Sequence, residues 1–311
     1  MKKLSFRNIL VPTDFSAMSI DAIATAKRLA QRFNATAHVV HVNQFAEPSA
    51  SLAEQSRIVA KKTGLSPRVQ RPLVRGAAPF HEICNLAHEI PADLIVMPTH
   101  GYTALKHVFL GSTAERVVQH SPSPVFVVPK NKRRGRRLSI KRILVPVDFS
   151  GCSRQGLQYA IRFADEFGAR IILLHATQLG YIYSSKGMGL YNLPGLKEAA
   201  RERTEHQMQE LVRTVNLGGV KFQTTLTSGS PVVDICSFAK NQEIDLIITS
   251  THGFTGLKHA LIGSVAERVI RHAPCSVLVV PSHPRTRMAR VRSARSRTER
   301  KSSRSGISKA S

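Results

Sequence analysis

The sequence predicts two α/β domains in tandem, each built on a parallel, doubly wound sheet. Two observations predict this fold class: a long internal repeat, and a regular alternation of strand and helix signals within each copy. The chain has 311 residues, enough for two domains that each bury a core. Hydrophobic residues make up 42% and charged residues 21% of the chain, which is typical of soluble globular proteins.

Two blocks of sequence define the repeat. Ile9–Ser16 returns as Ile143–Ser150, and Thr99–Pro129 returns as Thr251–Pro281 with 19 of 31 positions identical. The first block repeats after 134 residues and the second after 152, so the second copy holds about 18 extra residues, around 180–196. Such periods exceed the roughly 20–50 residues of stacked repeats and predict a duplicated domain. The predicted organisation is a first domain at 1–130, a basic linker at 131–142, a second domain at 138–283 and a basic tail at 284–311.

Short apolar runs predict the strands of the first copy, because strands of a parallel sheet are buried on both faces. They are Phe6–Val11, Ala37–Val42, Arg68–Val74, Leu94–Met97 and Val125–Val128. Segments with apolar residues at helical spacing lie between these runs. Helices are predicted after Ser16, which can act as an N-cap, over Ser51–Lys62, from Pro79 and from Ser112.

The second copy repeats this order of elements. Its strands are predicted at Ile143–Val145, Ile171–His175, Lys221–Leu226, Leu246–Thr249 and Val277–Val280. Five strands that alternate with four helices indicate a parallel sheet with helices on both faces. The pattern leaves the strand order open, and an unrelated α/β arrangement remains the alternative.

A ligand of such a sheet would bind beyond the carboxyl ends of the strands, where the strand order reverses. The first candidate residues lie where strand one ends, at Pro12-Thr13-Asp14 and at Pro146-Val147-Asp148. Each aspartate could accept hydrogen bonds from a ribose or a base, or it could cap the next helix through an Asx turn. Taken alone, these residues favour the capping interpretation.

The second candidate residues belong to the loop after strand four. Nine residues separate Gly101 from Gly111-Ser112-Thr113, and nine separate Gly253 from Gly263-Ser264-Val265. Glycine lets the backbone approach an anion, and a helix N-terminus offers unpaired N–H groups, which together suit a phosphate. The alternative is a capping box, since a glutamate follows each serine by three residues.

The I-L-V-P-x-D-F-S opening and the T-H-G-(x9)-G-S-x-A-E-R-V block occur twice, from about Asn8 to Pro281, and closely resemble the universal stress protein family. The resemblance implies two Rossmann-like (adenine nucleotide alpha hydrolase-like) domains, each a five-stranded parallel sheet of order 3-2-1-4-5. It also implies that the halves pair through their last strands, either within one chain or between the chains of a homodimer.

Part of that family binds ATP through the pattern G-x2-G-x9-G-(S/T), so the resemblance implies a nucleotide site in each half. The glycines after strand four match the second and third glycines of the pattern, Asp14 and Asp148 match the family's nucleotide-contacting aspartate, and Val42 and Ala176 match the position near adenine. The implied nucleotide-binding residues are Pro12, Thr13, Asp14, Val42, Gly101, Gly111, Ser112, Thr113, Pro146, Val147, Asp148, Ala176, Ser250, Gly253, Gly263, Ser264 and Val265.

The first glycine of the pattern is replaced in both halves, by Pro98 in one and by Ser250 in the other. Proline has no N–H group and a fixed φ, whereas serine keeps its N–H. The second half is therefore expected to hold the better binding site.

The predicted function is that of a cytoplasmic stress-response sensor or regulator that binds ATP, with Mg as the counter-ion of the nucleotide. No catalytic triad or carboxylate pair is evident, so at most slow, incidental ATP hydrolysis is expected. His100 and His252 are expected to shape the turn beside their glycines rather than to act as acid–base groups. The four cysteines form no C-x-x-C pair and have no zinc spacing, which favours buried apolar side chains over a disulfide or a metal site.

The net charge of +25 is concentrated at two places. Lys130–Arg142 and the segment from Pro284 onward together supply 17 of these charges. A ligand-free interaction module that contacts nucleic acid weakly through its Arg- and Ser-rich tail is the alternative function. No run is long and apolar enough for a membrane span, so no membrane partner is predicted. The insert at 180–196 is either a lid over the second site or a plain surface loop.

Overall fold

The structure, a computed structural model, describes residues 3–42, 49–65, 68–70, 78–100, 111–130, 138–177, 194–251 and 262–282. Its strands are β1 (Asn8–Pro12), β2 (Thr36–Val42), β3 (Arg68–Gln70), β4 (Leu94–Pro98), β5 (Val125–Val128), β6 (Arg142–Pro146), β7 (Arg170–Thr177), β8 (Phe222–Ser228), β9 (Leu246–Ser250) and β10 (Ser276–Val280). Its helices are α1 (Ala17–Phe33), α2 (Ser49–Thr63), α3 (Pro79–Glu89), α4 (Ser112–His120), α5 (Gly151–Phe167), α6 (Pro194–Thr214), α7 (Pro231–Asn241) and α8 (Ser264–His272).

The strands of the described residues form one sheet, in the order β3-β2-β1-β4-β5-β10-β9-β6-β7-β8. Within each half the order is 3-2-1-4-5 and neighbouring strands are parallel, which confirms the predicted fold class. Most strand boundaries differ from the predicted ones by a residue or two. The largest extension is that of β7, which runs from Arg170 to Thr177 because β8 pairs with it along this whole length except at Arg170.

The two halves join through β5 and β10, which are antiparallel to each other. Phe126 pairs with Leu278, and Val125 and Val127 pair with Val279 and Val277. Phe126 and Leu278 occupy the same position of the 152-residue repeat. A pseudo-two-fold axis therefore passes through this pair, and the halves associate within one chain.

The first helix of the first half begins after Ser16, as predicted, and the second half repeats the arrangement. The side chain of Ser16 accepts a hydrogen bond from the Ser19 N–H, and Ser150 serves α5 in the same way. The helices end at Asn34 and Gly168, which have φ values of 51° and 63° and are therefore left-handed. These caps fix where α1 and α5 start relative to the ends of β1 and β6.

Two apolar cores lie on the two faces of the sheet, and each contains residues of both halves. Successive residues of a strand point to opposite faces. Phe126 and Leu278 thus belong to the core under α1 and α5, whereas Val127 and Val277 belong to the core under α3, α4, α7 and α8. Both cores are continuous across the β5–β10 junction. None of the described helices is long and apolar enough to cross a membrane.

Candidate functional site

The candidate site of each half lies at the carboxyl edge of the sheet, between the first and fourth strands of that half. There β1 neighbours β4, and β6 neighbours β9. The strand order reverses at these two places, which is where ligands of doubly wound sheets bind. The turn that carries Asp14 and the loop that ends at Gly111 consequently emerge side by side. The same holds for Asp148 and Gly263.

The aspartate after the first strand forms an Asx turn in both halves. One carboxylate oxygen of Asp14 accepts from the Ser16 N–H at 3.1 Å, and one of Asp148 accepts from the Ser150 N–H at 3.0 Å. The Asx turn of the capping interpretation is therefore present, although the side-chain caps of α1 and α5 come from Ser16 and Ser150. A carboxylate offers about four acceptor directions, so the turn leaves further acceptor capacity on each aspartate.

The backbone before each aspartate is held by the neighbouring strand. Thr13 donates its N–H to the Val40 oxygen at 2.9 Å, and Val147 donates to the Leu174 oxygen at 2.9 Å. Val42 and Ala176, which the resemblance places near adenine, lie two residues beyond these acceptors, at the ends of β2 and β7. Both side chains are half-buried.

Two histidines that the sequence reasoning missed lie directly under these turns. The Nδ1 atoms of His41 and His175 lie 2.8 Å from the backbone oxygens of Thr13 and Val147. A carbonyl oxygen accepts, so Nδ1 carries the hydrogen in both rings. The sequence contains a signal for this pair, because the two histidines recur 134 residues apart, which is the period of the first repeat block.

Each histidine ring also packs against a strained phenylalanine. Phe15 and Phe149 have φ values of 64° and 63°, a left-handed conformation that is unusual for a bulky residue. Their rings lie 4.4 Å and 4.6 Å from those of His41 and His175. The imidazole thus holds both the carbonyl before the aspartate and the strained residue after it. Strain of this kind persists only where the surrounding structure determines it.

The loop after the fourth strand closes onto the strand that it leaves. Thr99 donates to the Val128 oxygen at 3.1 Å, and the Gly111 N–H returns to the Thr99 oxygen at 2.9 Å. Thr251 and Gly263 make the corresponding bonds in the second half, at 3.1 and 2.8 Å. These bonds hold Gly111 and Gly263, which directly precede α4 and α8, against the edge of the sheet. The predicted site residues Gly101 and Gly253 lie outside the described residues.

The capping boxes predicted at Ser112 and Ser264 are wrong. Each serine is already the first residue of its helix, and the N-cap positions are Gly111 and Gly263, which have no side chain to accept a hydrogen bond. The N-terminal N–H groups of α4 and α8 therefore receive no side-chain cap. Such an end has the partial positive charge and the donors that bind an anion.

The electrostatic surroundings of the two helix ends differ. Each helix carries a glutamate in its first turn, which opposes an anion at that end. In α8 the Glu267 carboxylate is neutralised by Arg271, whose Nη2 lies 2.6 Å away. The residue four positions after Glu115 in α4 is Gln119, which cannot form that ion pair. The α8 end is thus the more favourable for a phosphate.

Pro98 and Ser250, the replacements of the first glycine, end β4 and β9 at equivalent places. Pro98 pairs with Val128, and Ser250 pairs with Val280. His100, which follows this point in the first half, has its Nδ1 atom 2.9 Å from the Thr99 hydroxyl. This hydrogen bond agrees with the turn-shaping role predicted for His100. His252 lies outside the described residues.

No group of three or more His, Cys, Asp or Glu side chains that could hold a metal occurs in the described parts of the chain. All four cysteines are free. Burial raises the pKa of the Cys84 thiol to about 11 and that of Cys275 to about 12. These thiols stay protonated near neutral pH, as expected for small buried side chains.

Fold and site together define a class of protein: a tandem doubly wound α/β protein whose halves share one sheet. Each half presents an acidic turn beside a helix N-terminus without a side-chain cap. The sequence profile of the universal stress protein family matches the chain twice, at residues 5–129 and 139–281. The chain belongs to the universal stress protein family and contains two of its domains in tandem.

Individual relatives match one domain at a time. Universal stress protein MJ0531 of Methanocaldococcus jannaschii is 34% identical over 148 residues, which are 48% of this chain and 85% of the relative. YxiE of Bacillus subtilis is 28% identical over 144 residues, 45% of this chain and 97% of the relative.

At least three solved structures match most of the chain. PA1789, a protein of unknown function from Pseudomonas aeruginosa, has a TM-score of 0.60 at 19% identity and covers 89% of this chain and 93% of its own. A universal stress protein from Archaeoglobus fulgidus has a TM-score of 0.57 at 21% identity and covers 88% and 96%. At these identities the likeness shows the fold.

Proposed function

We propose that this protein binds ATP or a related adenine nucleotide and acts as a sensor or regulator in a stress response. The proposal is for binding without dedicated catalysis, because the described residues beside the phosphate end of the site include no evident acid–base pair or nucleophile. Mg would accompany the nucleotide as its counter-ion and needs no ligand set from the protein. The residues proposed to contact the nucleotide are those that the family resemblance implies.

The observation that carries the proposal is the pair of helix ends that begin at Gly111 and Gly263. A capping side chain there would occupy the N–H groups that a phosphate needs, and the described structure has none. The Asx turns at Asp14 and Asp148 lie at the same edge, so an acceptor for ribose or base hydroxyl and amino groups stands beside each anion-binding end.

The second half is proposed as the stronger site. Ser250 retains the backbone N–H that Pro98 lacks. The carboxylate of Glu267 is paired with Arg271, whereas Glu115 has no arginine four residues on. Both differences favour a phosphate in the second half over the first.

Nucleotide content and titration calorimetry test the proposal. Freshly purified protein is denatured, its supernatant is separated by chromatography, and the refolded or unliganded protein is titrated with MgATP. About one nucleotide per chain would support a single working site. No released nucleotide and no heat at about millimolar ATP would overturn the proposal.

A matched pair of variants assigns the site to one half. Gly263→Val places a branched side chain at the α8 end and is expected to weaken MgATP binding about tenfold or more. Gly111→Val makes the same change in the first half and is expected to leave the measured affinity nearly unchanged. Circular dichroism and thermal unfolding of both variants check that the fold is kept.

A second candidate role, weak contact with nucleic acid, rests on charge alone. From Pro284 onward the sequence contains ten Lys or Arg residues and one acidic residue, and this segment lies outside the described residues. Each cation near a phosphate contributes salt-dependent affinity. Removing residues 284–311 should abolish retention on DNA or RNA at low salt. Unchanged retention would reject this role.

A further inference from the structure

The ends of α1 and α5 meet across the junction of the two halves through an ion pair. Arg32 Nη2 lies 3.4 Å from one Glu166 carboxylate oxygen, and the same guanidinium donates a hydrogen bond to the Glu166 backbone oxygen. Lys3 approaches the other carboxylate oxygen at 3.7 Å. The Glu166 side chain is only 8% exposed, so Arg32 and Lys3 take the place of water around its carboxylate.

Phenylalanine rings surround this ion pair. Phe33 of α1 lies edge-on to Phe167 of α5, with ring centroids 6.0 Å apart. Phe163 stacks on Phe167 at 4.8 Å, and Phe6 packs on Phe33 at 4.4 Å. The Arg32 guanidinium also lies 5.7 Å from the Phe167 ring centroid. An apolar shell strengthens a matched pair and makes an unmatched charge costly.

Arg32 and Glu166 hold the same position of the 134-residue repeat. Phe33 and Phe167, the next residues, are likewise equivalent. Equivalent residues that contact each other must lie close to the pseudo-two-fold axis. If two first halves paired through the same surface, Arg32 would therefore meet a second Arg32. If two second halves paired, two largely buried glutamates would meet, which is strongly unfavourable.

We infer that the opposite charges of Arg32 and Glu166 act as a pairing code. They favour pairing of a first half with a second half and disfavour pairing of two first halves. The β5–β10 edges alone do not supply this choice. Their central residues are all apolar, so either edge would tolerate the other or itself. The opposite charges at equivalent positions break that symmetry, as charged positions do in other paired interfaces.

A charge-exchange cycle in the full-length chain tests the code. Arg32→Glu and Glu166→Arg each place like charges together, and each should lower the unfolding temperature by about 5 °C or more. The double variant Arg32→Glu/Glu166→Arg restores opposite charges and should recover most of that loss. Light scattering should show larger species for each single variant, because weaker pairing of the two halves exposes β5 and β10. These larger species should be absent from the double variant.

A matched control comes from α6, where Arg201 and Glu205 form an exposed ion pair 2.9 Å apart with no part in the junction. The same exchange of charges there should change neither the unfolding temperature nor the mass distribution. The code is refuted if the double variant at the junction loses as much stability as the two single variants combined, or if the single variants match the wild type.

Cysteine cross-linking tests the choice of partner directly. Phe126→Cys/Leu278→Cys places two thiols in directly opposite positions and should oxidise to a bridge within one chain. Phe126→Cys alone should give no covalent dimer, because pairing of two β5 strands is disfavoured. Phe126→Cys also removes core volume, so its circular dichroism and unfolding are measured in parallel. Covalent dimers that form while the variant is fully folded would overturn the inference even if the charge-exchange cycle behaved as expected.

Discussion

The imidazole of His175 donates from Nδ1 to the backbone oxygen of Val147, the residue immediately before Asp148. This hydrogen bond joins the end of β7 to the exit of β6, across the edge where the nucleotide is proposed to bind. The side chain thereby positions the Asx turn without having to touch a ligand. His41 and Thr13 repeat the arrangement in the first half.

Replacing His175 should therefore weaken nucleotide binding, because the Asx turn at Asp148 would no longer be held in position. We expect His175→Leu to lower MgATP affinity about five- to tenfold, because the Val147 oxygen and the strained Phe149 both lose their support. His175→Asn offers an amide N–H near the place of Nδ1 and should recover part of the affinity. Calorimetry on both variants checks this, and equal affinities for the two would contradict a role for the hydrogen bond.

Tyr159→Phe is expected to stabilise the protein. The Tyr159 side chain of α5 is buried, and its hydroxyl has no hydrogen-bond partner among the described residues. Burial without a partner raises the pKa of this hydroxyl and costs about 1–3 kcal/mol. Urea unfolding should show a gain of about 1 kcal/mol for the variant at an unchanged denaturant slope. A loss of stability would refute the expectation.

Stability should fall as the pH rises above about 9, since the thiols of Cys84 and Cys275 then ionise in the unfolded chain but not in the folded one. Their ordinary pKa of 9.0 is raised by burial to about 11 and about 12. The stabilising contribution is complete below pH 9.0 and is lost between that pH and the folded values. Unfolding measured from pH 8 to about pH 11 should show a flatter decline for Cys84→Ala than for Cys152→Ala, whose parent thiol is less buried.

Both halves should unfold together, because each of the two cores crosses the β5–β10 junction. Phe126→Ala, a change at the pseudo-two-fold axis, should destabilise by about 3–5 kcal/mol and lower the hydrogen-exchange protection of β1 and β6 alike. Protection that falls in the first half alone would show that the halves unfold as separate units.

The strand positions and the cap at Ser16 could be predicted from local sequence, because burial and capping depend on neighbouring residues. The strand order came from the family resemblance, since local patterns contain no information about which strands are adjacent. The capping boxes were wrong because the S-x-x-E spacing suits a serine at either the N-cap or the first helical position.

The roles of His41 and of the Arg32–Glu166 pair could not be predicted from local sequence, because both depend on contacts between distant segments. His41 follows the apolar residues of β2 and resembles a core position, and its role is visible only beside Thr13 of β1. Arg32 and Glu166 look like ordinary charges near two helix ends. Their contact exists because strands more than a hundred residues apart meet at the junction. Long-range pairing of this kind is set by the whole fold.

Sharing one sheet makes each half a permanent part of the other's folding unit. After the duplication neither copy could be discarded, because the loss of either would leave a bare strand edge and two open cores. The first half is therefore needed for the structure of the second half, whether or not it binds a ligand of its own.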